Sequence, residues 1–170
     1  MSARAITAER SARRRTLAPQ DRRDGRVRVV VGDGFPLLVE GLVTMLPRSA
    51  RDLEVVGFSC SGGELERLVR AQRPTVAVLG DRLPCLADVP FPMLVQRCAR
   101  HTRTVVLGSH LMDPANFDVE DEAPYSEHGV ATVGPAGAVG YVKRDGELGD
   151  LIAVIRLAAR GYATFPFASE

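Results

Sequence analysis

The chain has 170 residues, of which 45% are hydrophobic and 25% charged, with a formal net charge of +1. This size and balance are typical of one folded domain with tails and argue against wholesale disorder. The sequence has no apolar run of about 18 residues and no secretory signal pattern at its start, so we expect a cytoplasmic protein.

Charge is distributed unevenly along the chain. Arginines crowd residues 1–26, whereas the segment from His110 to His128 has six acids and no Lys or Arg. An arginine-rich tail can contact nucleic-acid phosphates, although such tails are more often simply solvated. The acidic segment has neither EF-hand spacing nor a paired-histidine motif, and Cys60, Cys85 and Cys98 lack C-x-x-C spacing. We therefore predict no metal site and three reduced, structural thiols.

Apolar runs alternate with helical patterns beyond a tail, residues 1–25, that we predict to be disordered. The predicted strands are Val27–Val31, Glu54–Phe58, Thr75–Leu79, Thr104–Leu107 and Ala138–Val142. The predicted helices begin at Pro36, Gly62, Met93 and Glu147. Strands and helices at this spacing indicate βαβ units, hence a parallel sheet covered on both faces, with functional loops at the carboxyl ends of the strands.

Helical periodicity predicts which side chains face the core and where the pattern fails. The first helix is expected to place Leu37, Leu38, Leu42, Met45 and Leu46 on one side, and the last helix Leu148, Leu151, Ile152, Ile155 and Leu157. Between them, residues 110–135 collect acids, glycines and prolines, so we predict an irregular segment in place of a regular helix. The predicted domain spans residues 26–163, followed by a tail or linker at 164–170.

Four segments together resemble the receiver domains of bacterial response regulators, in the NarL/FixJ branch with a LuxR-type helix-turn-helix output domain. They are Val27–Leu42, Glu54–Gly63, Arg73–Pro84 and Gly137–Tyr162. The resemblance implies a (βα)5, flavodoxin- or CheY-like, doubly wound five-stranded sheet. It also implies a role in two-component signal transduction and transcription regulation, with DNA bound through an output domain that this chain does not contain.

Receiver domains phosphorylate an aspartate at the end of the third strand, with Mg²⁺ held by that aspartate and by an acidic pair after the first strand. Counting from Pro74 and from Pro84 places Gly80 at the acceptor position. The neighbouring Asp81 is expected to point to the opposite side of the strand or into the loop. The acidic pair corresponds to Asp33 and Gly34, so one acid is missing.

Two further positions depart from the resemblance. Gly108 follows the fourth strand where the family has Thr or Ser, and Ser109 comes one residue late. Arg144 stands where the family has Lys, with Lys143 immediately before it. Because acceptor, metal ligand and hydroxyl are lost together, we predict an atypical receiver domain without phosphoryl transfer, catalytic residues, metal or cofactor.

The vacated pocket and the outer surfaces leave several functions open. Asp33 and Arg144 could form a structural ion pair, or a ligand-binding pair beside a glycine-lined hollow for a small molecule. We expect a regulatory domain that acts by dimerisation, partner docking or small-molecule binding. We also expect a homodimer, because the helix faces at 40–46 and 148–159 flank the common self-association surfaces of the family that the chain resembles. The alternatives are a stand-alone interaction module and an enzyme on the same scaffold, for which no nucleophile–base pair or phosphate-binding motif is evident.

Overall fold

The computed structural model describes residues 25–85, 88–108 and 138–164. Most of the predicted N-terminal tail, Ser109, the predicted irregular segment at 110–135 and residues 165–170 lie outside the described residues. No helix in the described ranges is long and apolar enough to cross a membrane.

Nine helices and strands are described, in the predicted alternating order. The strands are β1 (Val27–Gly32), β2 (Leu53–Ser59), β3 (Val76–Gly80), β4 (Arg103–Gly108) and β5 (Gly140–Lys143). The helices are α1 (Pro36–Ser49), α2 (Gly62–Gln72), α3 (Phe91–Ala99) and α4 (Leu148–Ala159). Pro36 starts α1 because a proline in the first helical turn has no N–H bond to lose.

The five strands form one parallel sheet in the order β2-β1-β3-β4-β5. This is the doubly wound order of flavodoxin-like folds, and it confirms the fold class expected from the sequence. In the register, Val31 pairs with Val78 and Val78 with Val105, while Leu107 pairs with Val142. The carboxyl ends of β1, β3, β4 and β5 therefore lie at the same edge of the sheet.

Each face of the sheet packs against its own helices. Val29 and Val31 of β1 join α1 and α4 in one hydrophobic core. Val30 of the same strand and Leu79 of β3 join α2 and α3 in the other. Burial on both faces is why the strands read as continuous apolar runs instead of alternating ones.

The inward faces of α1 and α4 differ in part from the prediction. Leu37 is 83% exposed and Met45 46%, whereas Val39, which was not predicted to face the core, is 1% exposed. The buried stripe of α1 is Val39, Leu42 and Leu46, a helical spacing that the surrounding apolar residues concealed in the sequence. On α4, Leu157 is 37% exposed and Val154 takes an inward place.

The chain turns back after α4 and adds to the outer edge of β5. Gly161, with φ of +90°, makes the turn. Thr164 then donates its N–H to the carbonyl of Val139 at 2.8 Å and accepts from the N–H of Tyr141 at 3.0 Å. Pairing thus extends to residue 164, one beyond the predicted domain end.

Candidate functional site

The carboxyl ends of β1, β3 and β5 bring three charged residues to one edge of the sheet. Asp33 follows β1, Asp81 follows β3 and Arg144 follows β5. Because the strands are parallel and neighbouring, residues far apart in the chain become adjacent here.

Asp33 is completely buried and both of its carboxylate oxygens are engaged. Oδ1 accepts the backbone N–H of Phe35 at 2.9 Å, and Oδ2 accepts Nη1 of Arg144 at 2.6 Å. The first bond closes a short turn that leads into α1. The second forms a salt bridge to a side chain that is 17% exposed.

Arg144 bridges two carboxylates. Its Nη2 donates to Oδ1 of Asp81 at 2.6 Å, while its backbone N–H donates to the carbonyl of Gly108 at 2.8 Å. The guanidinium also lies over the ring of Phe35, 5.4 Å from the centroid, within cation–π range. We name Asp33, Asp81 and Arg144 the ion-pair cluster.

The charge on Arg144 is permanent. Burial alone would lower its pKa, but the hydrogen bonds to Asp81 and Asp33 outweigh burial and raise the pKa above its usual value. Within the described residues, the buried Nε of Arg144 has no hydrogen-bond partner. The guanidinium is therefore held by its two terminal nitrogens, in the fork geometry that suits two carboxylate acceptors.

The carboxylate of Asp33 fills the space beside Gly80. A Cβ added at position 80 would overlap Oδ2 of Asp33 and lie 2.5 Å from its Cγ. Real Cβ atoms do not approach other heavy atoms so closely. The glycine is thus required by the position of Asp33, and no side chain at residue 80 fits this arrangement.

The other two pocket glycines are also closely packed. A Cβ at Gly34 would overlap the backbone carbonyl of Arg82, and one at Gly108 would overlap the hydroxyl of Tyr141. Tyr141 is 4% exposed, so its ring is part of the core. The space that a hydroxyl-bearing side chain at position 108 would need is therefore already occupied by Tyr141 of the neighbouring strand β5.

The structure brings Asp33, Asp81 and Arg144 together. Asp81 lies in the turn after β3, one of the two places expected for it, and its carboxylate pairs with Arg144. The expected glycine-lined hollow is filled by Asp33, Arg82 and Tyr141. Lys143 is exposed, and Ser109 lies outside the described residues.

A separate cleft of about 140 Å³ lies beside Arg144, between α1 and α4. Its apolar wall is formed by Leu38, Leu42, Leu107, Val142, Leu148 and Leu151. Neither this cleft nor the contacts of Phe35 and Tyr141 were predicted from the sequence. A glycine opposite a large aromatic on the next strand was the one signal that could have indicated the Tyr141 contact.

The donor set does not fit Mg²⁺, the metal that a receiver fold implies. Mg²⁺ takes near-octahedral oxygen ligands. Gly34 and Gly80 supply no carboxylate, and the oxygens of Asp33 are already used by Arg144 and Phe35. Within the described residues, no group of three or more His, Cys, Asp and Glu could hold a metal ion.

No family model matches the chain. It is 29% identical over 140 residues to YxjL, an uncharacterized transcriptional regulatory protein of Bacillus subtilis, covering 82% of this chain and 57% of YxjL. It is 35% identical over 85 residues to the transcriptional regulatory protein NarL of Mycobacterium tuberculosis, covering 50% of this chain and 39% of NarL. The chain therefore spans about half the length of these relatives.

Solved structures share the fold. The signal receiver domain of NarL from Mycobacterium tuberculosis is 26% identical, with a TM-score of 0.61, covering 80% of this chain and 98% of that one. The isolated receiver domain of RcsB from Salmonella enterica is 17% identical, with a TM-score of 0.62, covering 82% and 93%. YxjL and NarL are transcriptional regulatory proteins, in agreement with the expectation that the chain is not an enzyme. In sheet order and in the position of its pocket the chain is similar to receiver domains, and in sequence it is similar to response regulators of the NarL type.

Proposed function

We propose that this receiver domain is atypical and works without phosphorylation, through contacts with a second copy of itself or with a docking protein. One observation carries the proposal: the Asp33 carboxylate occupies the space that a phosphoacceptor side chain at position 80 would need. An acceptor could enter this position only if Asp33 and Arg144 moved apart.

The ion-pair cluster supports a single, locked arrangement of the pocket. A switch needs two states that a ligand or modification binds with different free energies. In this pocket both carboxylates are already paired with Arg144, and the place of the hydroxyl at residue 108 is taken by Tyr141. A phosphoryl group therefore has neither an acceptor nor a vacant site from which to bias the fold.

The direct test is incubation of the protein with acetyl phosphate and Mg²⁺, followed by intact-mass measurement, with a typical receiver domain as positive control. We expect no phosphorylated species. Asp81 is the carboxylate nearest to the acceptor position in sequence, so Asp81→Asn is the matched variant. A mass increase of one phosphoryl group that is lost in Asp81→Asn would contradict the proposal.

The exposed face of α1 supports a protein-contact role. Leu37, Gly41 and Met45 are spaced four residues apart, so they lie in one stripe, and all three are exposed. A Cβ at Gly41 would meet nothing within 4 Å, which leaves room for a close approach by another surface. Apolar side chains left in water along one helix face are typical of contact sites.

Sedimentation of the protein at high micromolar concentration tests this role. We expect a dimer that Leu37→Glu/Met45→Glu converts to monomer. Met93→Glu on α3 is the matched control, because Met93 is also exposed, at 40%, but lies on the other face of the sheet. A wild-type protein that is monomeric at every concentration would remove self-association and leave partner docking to be tested by the same variants.

The cleft beside Arg144 favours a second candidate, a small-molecule site. It is lined by six apolar side chains and by the exposed residues Lys143 and Glu147. Its volume of about 140 Å³ is below the roughly 300 Å³ of typical ligand pockets, which limits an occupant to a few heavy atoms. Leu42→Phe, which would fill the cleft, should abolish any ligand-induced rise in melting temperature found in a fragment screen.

The relatives suggest where DNA binding lies in the whole protein. Solved structures that share the fold include RcsB from Salmonella enterica bound to promoter DNA, at 19% identity and a TM-score of 0.55. We infer that sequence-specific DNA binding belongs to an output domain outside the described residues. Appending such a domain should give promoter binding that does not change with acetyl phosphate.

A further inference from the structure

The two ends of the sheet carry opposite charge, although the net charge of the chain is only +1. The carboxyl end has more acids than cations, with Asp33, Asp81, Asp145, Glu147 and Asp150 against Arg82, Lys143 and Arg144. At the amino-terminal end, six arginines lie in the loops before the strands, at the first residue of β4 or after α4, and none forms an ion pair with another described residue. We call them the basic end: Arg26, Arg51, Arg73, Arg100, Arg103 and Arg160.

The basic end follows the order of the strands. Arg51, Arg26, Arg73 and Arg103 precede or open β2, β1, β3 and β4, which are consecutive neighbours in the sheet. Parallel strands lie about 4.8 Å apart, so this row extends over about 14 Å. That length is comparable with about four phosphates along one strand of a duplex, at roughly 3.4 Å of rise each.

Hydrogen bonds join these loops into one continuous surface. Val27 donates its N–H to the carbonyl of Asp52 at 2.7 Å, and Thr75 donates its N–H to the carbonyl of Arg28 at 2.8 Å. The hydroxyl of Thr102 donates to the carbonyl of Pro74 at 2.8 Å. The loops before β1, β2, β3 and β4 are thus held relative to one another.

Ordinary helix-end electrostatics do not account for this charge. All four helices end at this side of the sheet, and basic residues near helix carboxyl ends are common for that reason. Each helix end carries about −0.5 charge, so four offset roughly two of the six arginines. The nearby Asp52 is already neutralised by Arg156, at 2.7 and 2.9 Å.

The composition of the basic end favours a polyanion over a folded protein partner. Of the described large hydrophobic side chains that are exposed, Tyr162 alone lies in these loops, whereas protein interfaces usually have an apolar or aromatic centre. The cations are all arginines, which bind phosphate through two parallel N–H bonds. In the sequence, the arginines of residues 4–23 lead directly into Arg26.

We propose that the basic end binds the phosphate backbone of duplex DNA without reading its sequence. This goes beyond the proposed function, because the contact is made by the receiver domain itself. An additional contact to the DNA backbone would strengthen the binding of a regulator to its site and fix its orientation there. Phosphate contacts position a protein, whereas base contacts specify sequence.

Fluorescence anisotropy of the full 170-residue chain with a 20-base-pair duplex of arbitrary sequence tests the proposal, titrated from low to physiological salt. We expect binding whose logarithm falls linearly with the logarithm of salt concentration. In Arg51→Glu/Arg100→Glu, affinity at low salt should fall about tenfold or more, and the salt slope should decrease by about two. Both side chains are exposed, so the variant should keep the wild-type circular dichroism.

Arg67→Glu/Arg82→Glu is the matched control, with the same charge change on exposed arginines away from the basic end. It should bind DNA within about twofold of the wild type. Equal weakening in both variants would show that only bulk charge matters, and no weakening in either would assign binding to residues 1–24. Either result, or preference for polyglutamate over DNA, overturns the proposal. Arg26→Gln/Arg51→Gln removes two charges of the basic end without reversing them, and it should weaken DNA binding less than Arg51→Glu/Arg100→Glu does.

Discussion

Asp33 and Gly80 are complementary: the carboxylate of one lies where the Cβ of any larger residue at the other would have to be. We expect Gly80→Asp to lower the free energy of unfolding by about 1–3 kcal/mol, the usual cost of overpacking a core. Restoring the acceptor residue alone should not restore phosphorylation. Urea denaturation and intact-mass measurement check the two outcomes.

Gly41→Ala is the control for this substitution. Gly41 lies within α1 with nothing near an added Cβ, so the same kind of change should stabilise the protein by about 0.5–1 kcal/mol. A Gly80→Asp protein that is as stable as the wild type, or that accepts a phosphoryl group, would show that the pocket opens easily.

Arg144 should be the residue on which the stability of the pocket depends most. Arg144→Met leaves the fully buried Asp33 without its cation, and breaking a buried pair in this way costs about 3–5 kcal/mol. Arg144→Lys should cost less, because one ammonium keeps the charge but cannot span both Asp33 and Asp81. The double variant Asp33→Asn/Arg144→Met should recover part of the loss, since it removes the unpaired charge; without such recovery, the ion pair is not the source of the effect.

The contact between Gly108 and Tyr141 predicts a specific coupling. Gly108→Ala should destabilise the domain, because its Cβ would overlap the Tyr141 hydroxyl and lie 2.6 Å from two ring carbons. In a Tyr141→Leu background the same substitution should cost at least 1 kcal/mol less, a coupling of the size seen for residues in contact. A double-mutant cycle from urea denaturation measures it, and additive losses would contradict the packing described.

Cysteine reactivity follows from burial. Burial raises the pKa of Cys98 to about 12, with the charge of Glu66 adding to the effect. Because the folded pKa lies above pH 8, only about one thiol in ten thousand is thiolate at that pH. Iodoacetamide at pH 8 should therefore leave Cys98 unmodified in the folded protein and alkylate it in urea, as read by peptide mass mapping. Rapid alkylation of folded Cys98 would show that α3 opens locally.

Sequence periodicity was enough to predict the strands and helices, because β-branched runs and helical apolar spacing are local properties. It wrongly predicted that Leu37 and Met45 face the core. Apolar residues occur on several sides of α1, and only the position of the sheet decides that Val39 faces inward. Counting from two prolines predicted that Gly80 stands at the acceptor position, and in the fold this residue lies next to Asp33. The filled pocket could not be predicted, because whether a glycine leaves a hollow depends on which side chain of another strand, such as Tyr141, enters it.

Thr164 has a consequence for the outer edge of β5. An exposed edge strand offers free N–H and C=O groups to a strand of another chain, a route to aggregation. Here the carbonyl of Val139 and the N–H of Tyr141 are already paired with Thr164. A foreign strand could add at this position only by displacing residue 164. The pairing of Thr164 therefore opposes edge-to-edge polymerisation of the sheet.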